Sequence, residues 1–178
     1  MAKKKVTYKW DEFLKRLKDS IFHPKRQTKD IVFRLVFGND RQALLQLYNV
    51  LHGTAYTDPH ELQIVTLDNA IYISRKNDLA FLLAGSINMY EHQSTLNPNM
   101  PVRFLIYLAQ EYQLLVESMD KSLYGSELIP LPTPQCVVFY NGIVDTPDEY
   151  ELRLSSAFSN QDVEPAVEVV VKVININY

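Results

Sequence analysis

Apolar residues recur at helical spacing through the first third of the chain. Trp10, Phe13, Leu14 and Leu17 in WDEFLKRLKD define one short amphipathic helix, ended by His23-Pro24, and Ile31, Val32, Leu35 and Val36 define a second. Asn39 with Gln42 three residues later is a capping-box pair for a helix from Asp40 to Leu51, with Gly53 as its stop. Its buried stripe is Leu44, Leu47, Tyr48 and Leu51. From Glu61 the period shortens. LQIVTL and NAIYIS read as strands, followed by strands around Asp78 and Glu91, which makes a meander of three or four. Pro101 opens a helix that runs to about Met119, with Phe104, Leu105, Leu108, Tyr112, Leu115 and Met119 on its core face. Arg103, Tyr107 and Gln110 form a second stripe on that helix. CVVFYNG is a strand closing on an Asn-Gly turn, and VEVVVKVINI is a final β-branched strand. The order predicts an α/β domain, a mixed central sheet flanked by helices, in which the helix after Glu91 is the crossover.

At 178 residues and 47% apolar composition the chain suits one well-packed domain. No apolar run is long enough to span a bilayer, and the lysine-rich start has no signal-peptide core, so the expectation is a cytoplasmic protein with no membrane contact. The formal charge of −3 hides an asymmetry: residues 1–34 hold eleven Lys or Arg against four Asp or Glu, the remainder seven against seventeen. A basic arm over residues 1–28, carrying its short helix, would supply phosphate contacts to an otherwise acidic body. A solvated terminus tied down by Trp10 and Phe13 fits the same charges. Cys136, the single cysteine, reads as a small buried apolar residue. The last strand, rich in Val and Ile, needs a cover, which points to a homodimer or to a domain truncated at its C-terminus.

The chemistry concentrates in KNDLAFLLAGSINMYEHQS. Glu91 and Gln93 share one strand face, and Asp78 joins them if Gly85-Ser86 turns the chain back into an antiparallel pair. Two converging carboxylates need a cation between them, and hard oxygen donors suit Mg²⁺ or Mn²⁺. The spacing alone equally fits strand-end carboxylates facing solvent. Zinc is excluded by the scatter of His23, His52, His60 and His92. Arg103 and Tyr107 stand one helical turn apart just beyond the Glu91 strand, so Arg103 either clamps a phosphate or pairs with Glu91 or Asp78. Lys76 and Lys172 are weaker sources of positive charge, and Asp30 caps the helix that starts at Ile31.

KNDLAF, YEHQSTLNPNMPVRFLIYLAQEY, the LPTP segment and CVVFYNG, in this order, resemble the PD-(D/E)xK nuclease-family transposases and recombination-promoting nucleases, in the branch common in gut bacteria. The resemblance runs from about Lys29-Asp30 to the final NIN and assigns residues 29–178 to a nuclease-like domain. It implies a restriction-endonuclease-like core and a Mg²⁺-dependent DNA endonuclease. Within it Asp78 and Glu91 match the metal carboxylates, and the backbone carbonyl of His92 matches the strand position that completes the metal shell. Gln93 matches the place where relatives outside the branch carry lysine; a neutral amide can orient water or a phosphate oxygen but brings no positive charge. The alternative function is a degenerate nuclease fold retained for binding DNA or for assembly.

Overall fold

The computed structural model describes residues 33, 36–65, 78–119 and 121–177. The expected N-terminal helix at Trp10, the basic arm, NAIYIS, Asp30 and Lys76 lie outside the described residues, and of the expected helix from Ile31 only Phe33 and residues 36–39 are described, all helical. The chain divides into two compact units, residues 1–60 and 61–178.

In the first unit, helix α1 spans Arg41–His52. Its N-cap is Asp40 and not Asn39: Asp40 has extended backbone and its carboxylate accepts from the Ala43 N–H at 3.0 Å. Gly53 stops the helix as expected, because its φ of 63° is the left-handed conformation glycine takes without a Cβ penalty. Leu44, Leu47 and Tyr48 are buried, while Leu51 is only partly so. Leu45 and Asn49 are buried as well, and Asn49 spends its amide on the chain that follows the helix. Its Nδ2 donates to Tyr56 O at 2.8 Å, and its Oδ1 accepts from Thr54 Oγ1 at 2.8 Å and Tyr56 N at 2.9 Å. A buried amide with all these bonds made costs the fold little.

The second unit is built on one mixed sheet, with six strands among the described residues. These are β1 (Gln63–Ile64), β2 (Leu79–Leu83), β3 (Ser86–Gln93), β4 (Thr133–Tyr140), β5 (Glu149–Arg153) and β6 (Val170–Asn175), in the spatial order β1-β2-β3-β4-β6-β5. The first three are antiparallel, with β1 from LQIVTL pairing directly with β2, whereas β3, β4 and β6 are parallel. Leu83 pairs with Ser86, so the hairpin turns on Ala84 and Gly85, one residue earlier than expected. Both have positive φ, 50° and 75°, the type I′ geometry whose twist matches paired strands. The β-branched final strand is not an edge. EYELR forms the antiparallel strand β5 along its outer side, so the uncovered edge that pointed to a dimer or a truncation does not exist at β6.

Helix α2 spans Met100–Ser118, with Pro101 in its first turn, and carries the crossover from β3 to β4. Met100, Phe104, Tyr107 and Leu108 pack with Ile87 and Met89 of β3, Cys136 and Val138 of β4, and Val171 and Val173 of β6. Tyr112 ties the far end of the helix to the start of β4 by donating to Pro132 O at 2.6 Å. The buried arc is rotated relative to the expected stripe. Tyr107 and Glu111 are buried, while Leu105, Tyr112 and Leu115 are partly so. No helix among the described residues is long and apolar enough to cross a membrane.

Candidate active site

Alternation along β3 puts Ile87, Met89, Glu91 and Gln93 on the face that receives α2, and Tyr90 and His92 on the other. The hairpin register then fixes Asp78. Leu79 pairs with Tyr90, and one further step along the ladder sets Asp78 opposite Glu91. Asp78 Oδ2 accepts from the His92 N–H at 2.9 Å, which anchors the carboxylate at the end of β3. The N–H and C=O of one strand residue point to the same side, so the His92 carbonyl is aimed toward β2 and Asp78. The next carbonyl, that of Gln93, turns to β4 and accepts from the Asn141 N–H at 3.0 Å.

Glu91 is 1% exposed, a depth at which a carboxylate needs a counter-charge or neutralises. Its Oε2 receives Arg103 Nη2 at 2.8 Å and Gln93 Nε2 at 3.2 Å. Arg103 is itself held. Its Nε and Nη2 donate to Tyr107 Oη at 3.3 Å and 3.1 Å, its guanidinium carbon lies 5.6 Å from the Tyr107 ring centroid, and Nη1 meets Met100 Sδ at 3.2 Å. Burial alone would lower the Arg103 pKa, but Glu91, the Tyr107 hydroxyl and Asp78 together raise it above its ordinary value. Asp78 is the smallest of these influences, so it acts on the same guanidinium as Glu91 but more weakly.

Asp78, Glu91, Gln93, Arg103 and Tyr107 thus meet at one end of the sheet, with Tyr107 acting through Arg103. The His92 carbonyl belongs with them, while its imidazole is buried on the opposite face. Lys172 does not join the site, because it pairs with Glu149 at 2.9 Å between β5 and β6. Burial pushes the Cys136 thiol up to about 12, the inert apolar role expected of it. Among the described residues no group of three or more His, Cys, Asp or Glu side chains is placed to hold a metal. The donors available at the sheet end are two carboxylates and a backbone carbonyl, an all-oxygen set that suits a hard cation retaining waters and not zinc.

Two features escaped the sequence. Gly142 is wedged beside the site, where a Cβ would lie 2.5 Å from Ser94 O and would overlap the Tyr140 ring. Tyr140 Oη accepts from Val144 N at 3.0 Å and donates to Val144 O at 3.2 Å, Asn177 Nδ2 donates to Gly142 O at 2.6 Å, and Asn175 Nδ2 donates to Thr146 O at 3.1 Å. The loop after β4 is thereby fixed against residues 93 and 94; the Asn-Gly dipeptide signalled its turn but not its position. Glu111, two turns along α2 from Arg103, is the second, and nothing in the sequence separated it from a solvated helix face. No protein-family model, no curated protein and no solved structure matches this chain.

Proposed function

We propose that the chain is a Mg²⁺- or Mn²⁺-dependent DNA endonuclease of the mobile-element or recombination-associated kind, built on a restriction-endonuclease-like core. The observation that carries this reading is the convergence of Asp78, Glu91 and Gln93 at the end of one antiparallel strand pair, with Arg103 delivered to Glu91 by the crossover helix. The succession β2, β3, α2, β4, with β3 and β4 parallel, supports the core.

In this reading Glu91, Asp78 and the His92 carbonyl hold the cation. When bound, the cation supplies Lewis acidity at the phosphoryl oxygens and lowers the pKa of a bound water. Gln93 orients the attacking water through its amide oxygen, since its Nε2 is engaged by Glu91. Arg103, positioned by Tyr107, stabilises the charge that develops on the phosphate. The eleven basic residues among the first 34 supply sequence-independent backbone contacts to DNA. One observation favours the second reading, a nuclease fold that binds DNA without cutting it: the amide of Gln93 brings no charge to a site where, among the described residues, the close cation Arg103 is already paired with Glu91.

Calorimetric titration with Mn²⁺ tests the site. Wild type should bind weakly, and the Asp78→Ala/Glu91→Ala double variant should lose the binding. Unchanged affinity in the double variant would remove the metal assignment. Metal and DNA binding without strand cleavage would select the second reading.

A further inference from the structure

The Arg103–Glu91 ion pair stands where the proposed cation must bind. Glu91 Oε2 is the acceptor for Arg103 Nη2 at 2.8 Å, and the guanidinium also lies in the field of Asp78. Two carboxylates balance one divalent ion, so a guanidinium kept beside that ion would leave an excess positive charge, and like charges brought together in a half-buried site repel strongly. The two ends of the pair differ in freedom. The Glu91 side chain is 2% exposed and fixed on the strand, whereas that of Arg103 is 20% exposed at the end of a long side chain. Its Nη1 is spent on a thioether sulfur, a weak acceptor that a phosphate oxygen would readily replace. Tyr107 accepts from Nε and Nη2, and because the guanidinium is a rigid plane it turns as a unit on its flexible stem, giving up the Nη2 contacts to Glu91 and Tyr107 together.

Resting on the metal-site reading above, we propose that Arg103 competes with the divalent cation for Glu91: the cation binds in exchange for the ion pair, and the displaced guanidinium turns outward to a DNA phosphate oxygen. Arg103 then does two things in sequence. It neutralises Glu91 until a divalent ion replaces it, and it joins the substrate only after that exchange. The metal and the phosphodiester each favour the arrangement the other needs, so they bind cooperatively, and by linkage each raises the affinity for the other by the same factor. Metal without DNA binds weakly because it must break the pair.

The test is Mn²⁺ calorimetry on full-length wild type, Arg103→Ala, Tyr107→Phe and Glu91→Ala, with folding of each followed by circular dichroism. Arg103→Ala should bind Mn²⁺ about tenfold more tightly than wild type, although it will cut DNA poorly. Adding millimolar guanidinium ion, which fits the space left by the side chain, should return the variant toward wild-type affinity, an effect that a merely structural role for Arg103 would not produce. Tyr107→Phe, which loosens the guanidinium without removing charge, should tighten binding about threefold and serves if Arg103→Ala does not fold. Affinity unchanged or weakened in the variants that fold overturns the competition. If Glu91→Ala abolishes Mn²⁺ binding in that same series, the metal site stands and only the competition falls. No Mn²⁺ binding by any variant overturns both.

Discussion

Two glutamates of this protein are buried to nearly the same depth, Glu91 at 1% and Glu111 at 2% exposure, and the fold treats them in opposite ways. At the sheet end Glu91 is met by a guanidinium and an amide. In the middle of α2, Glu111 Oε1 has no hydrogen-bond partner among the described residues, and burial alone pushes its pKa up to about 7. A buried charge with a partner can be kept for chemistry, while one without a partner becomes a group that takes up a proton on folding. The sheet end is therefore a cluster of mutually paired polar groups, and α2 contains a carboxylic acid that is neutral at mildly acidic pH.

Removing a partner at the sheet end should have the largest effect on stability. Glu91→Ala removes the direct partner of the half-buried guanidinium of Arg103 and should cost about 3 kcal/mol in urea unfolding, the lower end of the range for broken buried pairs because Arg103 retains some solvent and the field of Asp78. The double variant Glu91→Leu/Arg103→Met should recover most of that loss without recovering activity. If Glu91→Ala were as stable as wild type, the contrast between the two glutamates would collapse.

Glu111 should show the opposite sign. Its folded pKa, about 7, is raised above the unfolded value of 4.5, so the native state holds more protons between these pH values. Stability should then fall as pH rises from about 4.5 to about 7, and level off above. Glu111→Gln should be more stable than wild type by about 2 kcal/mol at pH 8 and should lose this advantage near pH 5, as read from urea midpoints across that range. An equal difference at both ends of the range would mean that Glu111 does not titrate in the fold.

A smaller effect sharpens the separation of the two regions. Gly142→Ala forces a methyl group against Ser94 O and Tyr140, and should cost about 1–2 kcal/mol by displacing the loop beside Gln93. The pH dependence due to Glu111 should survive that substitution unchanged. Loss of both together in the same unfolding series would show that the sheet end and the helix core are not independent.

The polar cluster was legible because its geometry is short-range. Alternation put Glu91 and Gln93 on one face, a tight turn near Gly85 returned Asp78 to them, and even a turn centred one residue earlier than expected preserved the convergence. The arginine one turn before Tyr107 on a proline-started helix was legible for the same reason. Glu111 was not, because helical periodicity finds the centre of an apolar stripe but not the width of the arc that a sheet covers. Strand β5 was missed since EYELR is short and mostly charged, and its place outside β6 depends on a pairing between segments far apart in sequence. The position of the Asn-Gly loop depends equally on long-range contacts, from Asn175 and Asn177.

Cleavage of supercoiled plasmid DNA by the purified full chain with Mg²⁺ or Mn²⁺, compared with Asp78→Ala and Glu91→Ala, decides whether the carboxylates at the sheet end cut DNA. Wild type should nick or linearise the plasmid only with the divalent ion, and both variants should leave it intact. Cleavage retained by both carboxylate variants, or no cleavage by wild type with either metal, would contradict that role.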